Sequence, residues 1–107
     1  MIKADKHSTP VIFRKFRDNG EIIAIFPTLP GTNCPNTCMS YMHVGQHGSM
    51  DVSIASIAIL VKPSEYIHLK RELQGLGYKL RVITSMCSHH RNERLALINK
   101  VRAVDNA

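Results

Sequence analysis

Two short strand-like segments joined by an Asn-Gly turn constrain the fold of this chain more than any other feature. Residues 11–16 and 21–26 are rich in β-branched and aromatic side chains, which favour strands. Asn19 and Gly20 lie between them, and both residue types accept the positive φ angles of a tight hairpin turn. The pattern predicts an antiparallel hairpin. Because apolar side chains occupy both faces of each segment, it also predicts a sheet covered on both sides, at least in part.

The rest of the chain predicts further strands and a late helix. Residues 38–44, a segment beginning near Ser56, and residues 78–84 have the composition of strands. Ser64 to Gln74 has a helical apolar stripe, with Ser64 as the expected N-cap. Residues 92–104 predict either a last helix or a frayed tail. Strands that precede a late helix are typical of the α+β class. The prediction is a mainly antiparallel sheet of four to five strands with one packed helix, and a C-terminal helix if residues 92–104 are not a frayed tail.

Length and composition restrict the class of protein. With 107 residues the chain is expected to form one domain (1–107), since domains usually have about 100–200 residues. The expected core covers residues 11–84, and residues 85–107 form a basic C-terminal extension. No apolar run approaches the about 20 residues that cross a bilayer, and the polar N-terminus lacks the apolar region of a signal peptide. Three cysteines, an odd number, indicate reduced thiols. We therefore expect a cytoplasmic protein without a membrane partner.

Positive charge is concentrated in the second half of the chain. Residues 62–107 contain nine Lys and Arg against four Asp and Glu, whereas residues 1–61 contain five against four. A basic half favours an anionic partner, either an acidic protein or nucleic acid, although a solvated surface explains the same charge. The side chains expected to contact a partner lie on the last strand and the last helix: Lys79, Arg81, Arg91, Arg94, Lys100 and Arg102.

A zinc site is one prediction for the densest group of reactive side chains. Its four candidate ligands have the spacing Cys-x3-Cys-x4-His-x3-His: Cys34, Cys38, His43 and His47. Thiolate and imidazole are ligands that zinc accepts. The middle spacing is shorter than the about 12 residues of a conventional zinc finger. On a straight strand the two histidines would lie about 13 Å apart, so a shared ion requires the chain to fold back at Gly45.

Catalysis is the second interpretation of this segment. The thiol of Cys38 or the hydroxyl of Ser40 supplies a nucleophile. His43 or His47 supplies a base, and Asp51 supplies a carboxylate that can orient the base. Two imidazoles near a phosphate also suit acid–base cleavage of a phosphodiester. No specific catalytic motif such as a nucleophile elbow is matched.

A structural turn is the third interpretation. Gly45 and Gly48 bracket Gln46 and His47, and histidines beside glycines often only bond backbone carbonyls. Buried Cys and Met are ordinary core residues. Such a turn can still face a partner. We therefore include His43, Gln46 and His47 among the candidate partner-binding residues.

Residues 40–47 have the pattern Ser-Tyr-x-His-x-Gly-Gln-His. Together with the segments before and after it, this pattern resembles a small family of uncharacterised proteins found in bacteriophages and mobile elements, and it is the most specific part of the resemblance. The resemblance covers residues 11–83, about two-thirds of the chain, and excludes Cys34 and the tail from Cys87 onward. It implies an origin and no activity. The segments that carry it are residues 11–16, 21–27, 38–48, 62–66 and 76–78.

These features together predict a non-catalytic accessory protein of phage or mobile-element type that binds a host macromolecule. The first alternative is a small metal- or histidine-dependent enzyme centred on Cys38, His43 and His47. The second alternative is a structural zinc-binding domain, which a chelator would unfold.

Overall fold

The protein has an α+β fold built on one mainly antiparallel sheet, as the sequence predicts. The structure is a computed structural model that describes residues 8–42 and 47–105, except for the side chains of residues 102–105. In this part of the chain the strands are β1 (Thr9–Lys15), β2 (Ile22–Phe26), β3 (Thr37–Tyr41), β4 (His47–Asp51), β5 (Ile59–Leu60) and β6 (Leu80–Ile83). The helices are α1 (Ile54–Ile57), α2 (Pro63–Gly75) and α3 (Ser88–Asp105). No helix among the described residues is long and apolar enough to span a bilayer.

Strands β1 and β2 form the hairpin that the Asn-Gly turn predicts. They pair antiparallel, with Ile12 opposite Ile25. Gly20 reverses the chain at a φ angle of 71°, a region that glycine enters without a steric penalty. Strands β3 and β4 continue the sheet beyond β2, which gives the order β4-β3-β2-β1.

Strands β5 and β6 share the second edge of β1. Strand β6 runs parallel to residues 9–12, and β5 runs antiparallel to Arg14 and Lys15. Because β2 pairs with the opposite edge of β1, β5 and β6 lie end to end on one side of the sheet. Within the described residues, β6 has no strand partner other than β1.

Helix α2 covers the first face of the sheet. Tyr66 of α2 stacks on Phe13 with 4.3 Å between the ring centroids, and Leu73 is fully buried. Burial of a leucine side chain contributes about 1.5–3 kcal/mol, so this contact fixes the helix on the sheet. The buried residues of this face are Val11, Phe13, Ala24, Phe26, Tyr41, Leu69 and Leu73.

The second face is also apolar and is covered by shorter segments. Ala55 of α1 and Met86, in the loop before α3, pack against it. Its buried residues are Ile12, Ile23, Ile25 and Cys38. Both faces of the sheet are therefore covered, which confirms the expectation drawn from the apolar residues on both sides of the hairpin.

Arg94 attaches α3 to the second face. Its Nη1 donates to the Pro27 carbonyl at 2.6 Å and its Nη2 to the Pro35 carbonyl at 3.1 Å, and its charge acts on the Cys38 thiol. Only 2% of Arg94 is exposed, and Ile98, which lies one turn later in α3, is also 2% exposed. The prediction that Arg94 contacts a partner from the surface is therefore wrong, because this side of α3 faces the sheet.

A second buried arginine fastens the junction between β5 and β6. Arg14 Nε donates to the Ala55 carbonyl at 3.1 Å, and Nη1 donates to the Phe13 carbonyl at 3.3 Å. Its Nη2 donates to the Thr84 carbonyl. Burial lowers the pKa of the Arg14 guanidinium from its ordinary value. Arg14 thus connects α1, β1 and the end of β6 through their backbone carbonyls.

The strand predicted from Ser56 is wrong for its first half. Residues 54–57 form the short helix α1, and strand pairing is limited to Ile59 and Leu60. The apolar residues of this segment fit both a helical and a strand period. In the structure the segment is helical and packs Ala55 against the second face.

The turn predicted at His47 and Gly48 is also wrong for those two residues, which begin strand β4. Their sequence has little strand propensity, and pairing of Tyr41 with His47 and of Ser40 with Gly48 decides the structure. Tertiary pairing commonly overrides propensity in strands. Gly45 and Gln46 lie outside the described residues.

Helix α2 begins before the serine that the sequence indicates as its cap. Pro63 is the first helical residue and Lys62 is the N-cap. The Lys62 amide donates to the Glu65 carboxylate at 2.9 Å, and proline suits the first helical position because its φ angle is already fixed there. Ser64 therefore lies inside the first turn.

Substitution of Arg94 by alanine tests whether this side chain attaches α3. We expect Arg94→Ala to lower the free energy of unfolding by about 2–4 kcal/mol, because two carbonyl groups lose charge-assisted hydrogen bonds and the core loses a packed side chain. The matched control is Arg91→Ala, an exposed arginine one turn earlier, for which we expect a change below about 0.5 kcal/mol. Urea denaturation followed by circular dichroism measures both. Equal changes in the two variants would show that Arg94 does not hold the helix.

Candidate functional site

An aromatic and polar cluster lies at the first face where β3, β4 and α2 meet. The His47 Nε2 atom is 2.9 Å from the Tyr78 hydroxyl, and the His47 ring meets Tyr41 edge-on with centroids 4.7 Å apart. The Tyr41 hydroxyl donates to the Glu72 carboxylate. Sequence reasoning missed Glu72 and Tyr78, because each lies 31 residues from its partner along the chain and belongs to no local motif.

Cys38 and His47 lie on opposite faces of the sheet. Cys38 is buried among the isoleucines of the second face, whereas His47 contacts Tyr41 of the first face. Strand residues at odd and even positions point to opposite sides, so these two side chains cannot share an ion. Cys34 is exposed in the loop before β3. His43, the fourth candidate ligand, lies outside the described residues.

Burial also makes Cys38 a poor ligand and a poor nucleophile. It raises the pKa of the Cys38 thiol from 9.0 to about 11, partly offset by the charge of Arg94. The thiolate is the form that binds metals and attacks electrophiles, and at neutral pH Cys38 is a thiol. Among residues 8–42 and 47–105, no group of three or more His, Cys, Asp or Glu side chains is placed to hold a metal ion.

The nucleophile–base arrangement does not assemble among the described residues. Ser40 is buried on the same side as Cys38 and its hydroxyl donates to the Gly48 carbonyl at 3.3 Å. Asp51 lies at the far end of β4 from His47, about 13 Å away at the rise of an extended strand. Its carboxylate accepts the Ser53 amide hydrogen bond at 2.9 Å, which lowers its pKa. Asp51 therefore shapes the turn into α1 and does not orient His47.

A carboxylate-lined cavity of about 340 Å³ adjoins the cluster on the first face. It lies between α2 and the β2–β3 pair and reaches Glu72, which is also the acceptor for Tyr41. Acidic groups are thus gathered on this side of the molecule, although the chain carries a net charge of +6. The residues that line it are Glu21, Ile22, Met42, Glu65, His68, Leu69 and Glu72.

The predicted basic residues do not form one stripe. Lys79, Arg81, Arg91 and Lys100 are exposed, but Arg91 and Lys100 are nine residues apart, which is about two and a half helical turns. They therefore lie on opposite sides of α3. The Arg102 side chain lies outside the described residues, as do His43 and Gln46.

A smaller basic surface remains where β6 meets the start of α3. Lys79 and Arg81 share the second-face side of β6 with Ile83. Burial is the main cause that lowers the pKa of His90, and the charge of Arg81 adds to the lowering, while Glu93 opposes it. Arg81 therefore lies close to the first turn of α3, where Arg91 follows His90. We call Lys79, Arg81 and Arg91 the basic surface.

The first turn of α3 is a polar junction. The His90 Nδ1 atom accepts the Cys87 amide hydrogen bond at 3.2 Å, a role that requires this nitrogen to be unprotonated. His89 points to Glu93, with 2.9 Å between its Nε2 atom and the carboxylate. The Cys87 sulfur also lies 3.5 Å from the His90 Nδ1 atom, whereas His89 is paired with Glu93. The two imidazoles therefore have different partners.

Comparison of the chain with protein-family models, with curated proteins and with solved structures gave no match. The resemblance of residues 11–83 to a phage and mobile-element family therefore stays a prediction.

Alkylation distinguishes the three cysteines. We expect iodoacetamide at neutral to mildly alkaline pH to modify the exposed Cys34 and Cys87 and to leave Cys38 unmodified until the protein unfolds, because burial excludes the reagent and keeps the thiol protonated. Peptide mass spectrometry after timed labelling measures this. Labelling of Cys38 in the native protein at the rate of Cys34 contradicts the placement of Cys38 in the second-face core.

The raised pKa of Cys38 also predicts a dependence of stability on pH. Because the pKa of Cys38 is higher in the folded protein than in the unfolded chain, the native state holds the thiol proton more tightly. The resulting contribution to the free energy of unfolding is complete below pH 9 and is lost as the pH rises towards about 11. We expect the free energy of unfolding to fall over that interval more steeply in the wild type than in Cys38→Ala. Identical slopes would mean that Cys38 titrates as an exposed thiol.

Proposed function

We propose that this protein is a non-catalytic binding protein whose partner in the host cytoplasm is an anionic macromolecule. The observation that carries the proposal is the basic surface. Lys79 and Arg81 are exposed on one side of β6, the charge of Arg81 acts on His90 in the first turn of α3, and the exposed Arg91 follows His90 in sequence. None of the three cations forms an ion pair within the described residues. Unpaired clustered cations attract polyanions and raise association rates. An accessory role of phage or mobile-element type is part of the same proposal.

Several other cationic side chains of the described residues already have partners within the protein. The Lys15 ammonium is 2.9 Å from the Glu65 carboxylate, and the His89 imidazole is 2.9 Å from that of Glu93. The two arginines with the lowest exposure, Arg14 and Arg94, are bound to backbone carbonyls. Within the described residues, the three cations of the basic surface have no acidic side chain as a partner, so their charge is available to a binding partner.

An acidic protein and a nucleic acid both supply the required charge. Binding of single-stranded nucleic acid commonly adds base stacking on exposed aromatic rings. The aromatic residue nearest in sequence to Lys79 is Tyr78, which stacks on Phe26 with 5.2 Å between centroids and contacts His47. The Tyr78 ring is therefore already engaged within the protein and does not provide a stacking surface for a base beside the basic surface. For this reason we favour the acidic protein.

Charge reversal tests the proposed function. We expect the wild-type protein to bind fluorescent poly-glutamate or labelled DNA and RNA with an affinity that falls as salt is added. Arg81→Glu and Arg91→Glu should each weaken binding by about tenfold or more, equivalent to about 1.4 kcal/mol. Fluorescence anisotropy measures the affinities.

Lys100→Glu is the matched control, because it makes the same change of charge on the opposite side of α3. Retained binding in this variant, with loss in Arg81→Glu, assigns the partner to the basic surface. Equal loss in all variants would show a response to net charge alone. Failure of every polyanion to bind at low salt rejects the proposed function.

A further inference from the structure

Within the described residues, the outer edge of β6 is paired with no other strand. The Thr9 amide donates to the Lys79 carbonyl at 2.6 Å, and Thr9 is in parallel register with Leu80. In a parallel pair, alternate residues direct their peptide groups to the partner strand. The peptide groups of Arg81 and Ile83 thus face β1, and those of Leu80 and Val82 face outward, where β6 has no strand partner within the described residues.

The side chains along this edge are charged on one face of the sheet and apolar on the other. Lys79 and Arg81 project on the second-face side of β6. Leu80 and Val82 belong to the first-face cluster. A strand placed beside β6 would therefore meet cations on one of its faces and apolar side chains on the other.

A cavity of about 190 Å³ lies at the end of this edge, in the junction between β5 and β6. Leu60 of β5 lines it and is 65% exposed, an unusual exposure for a leucine in a strand that pairs with the centre of a sheet. The cavity is lined mainly by apolar side chains: Phe13, Leu60, Val61, Pro63, Tyr66, Val82 and Ile83, together with Arg14 and Thr84. It can receive one apolar side chain of an added strand.

We propose that an acidic, extended segment of a partner protein adds to the sheet along the outer edge of β6. This rests on the proposed function and names its partner. The peptide groups of Leu80 and Val82 pair with the segment, acidic side chains on one of its faces meet Lys79 and Arg81, and an apolar side chain on its other face enters the cavity beside Leu60. Side chains of a strand point alternately to its two faces. The acidic residues therefore occupy every second position of the partner segment. The apolar residue takes one of the intervening positions or a position beyond them, at the end of the segment nearest Thr84.

Two other occupants fit the edge less well. A second copy of this chain, paired β6 to β6, would bring two sets of Lys79 and Arg81 together, and like charges on adjacent strands are destabilising. A nucleic acid has no backbone amide groups to pair with those of Leu80 and Val82 and no aliphatic side chain for the cavity. A different explanation of Lys79 and Arg81 is that charge on an edge strand prevents aggregation. If that were their only role, the edge of β6 would bind no peptides.

The test is a selection of random peptides displayed on phage against the immobilised full chain, followed by synthesis of the enriched peptides. We expect enriched sequences with alternate acidic residues and one apolar residue. Their affinity should fall at least about tenfold in Arg81→Glu, in Leu60→Glu and in Val82→Pro, which removes an outward amide without touching the bonds to β1. Leu76→Glu, at a leucine that is 54% exposed after α2, is the matched control and should bind normally.

Peptide methylation keeps the test decisive if Val82→Pro does not fold. N-methylation at one set of alternate residues of the peptide should abolish binding to the wild-type protein, and methylation at the other set should not. Acidic peptides that bind equally well in both methylated forms, or equally well to Leu60→Glu, overturn strand addition and leave the proposed function standing. If the protein binds nucleic acid and no acidic peptide is enriched, strand addition is likewise overturned and the proposed function stands. Failure of every polyanion to bind rejects both.

Discussion

Strand β1 hydrogen-bonds to β2 along one edge and to both β6 and β5 along the other. Its apolar side chains are buried on both faces of the sheet, with Val11 and Phe13 on one side and Ile12 on the other. A strand with this environment has few alternative partners, because a shift of one residue would exchange its two faces. The positions of α2, of the β5–β6 junction and of the candidate surfaces all follow from it.

Two buried arginines hold the segments around the sheet in place through hydrogen bonds to backbone carbonyls. Arg14 closes the junction between β5 and β6, and Arg94 holds α3 on the second face. A guanidinium has five donors in a fixed plane and stays charged when desolvated. It can therefore satisfy carbonyl groups in irregular segments that regular strand pairing leaves unpaired. The same bonds remove both charges from the surface and leave the exposed cations of β6 and α3 as the basic surface.

Local patterns predicted the parts of the fold that local chemistry decides. The Asn-Gly turn and the strand-like segments beside it specify the hairpin, and the apolar stripe of residues 64–74 specifies most of α2. Strand β4 could not be predicted, because His47 and Gly48 become extended only through pairing with β3. Of the residues predicted to bind a partner, His47, Lys79, Arg81 and Arg91 are exposed, and their role stays a prediction. Arg94 is in the core, because the direction of a helical side chain depends on which side of the helix is covered.

The sequence by itself determined the class of the fold, the central hairpin, the main helix and the excess of positive charge in the second half, because each depends on residue type and on spacing over a few neighbours. Tertiary structure alone decided which charges face solvent and that Cys38 and His47 lie on opposite sides of the sheet. It also decided that, among the described residues, β6 is an edge strand with outward peptide groups beside a cavity. These properties depend on the register between segments far apart in the chain, and the free energy that fixes register comes from burying both faces of β1 at once.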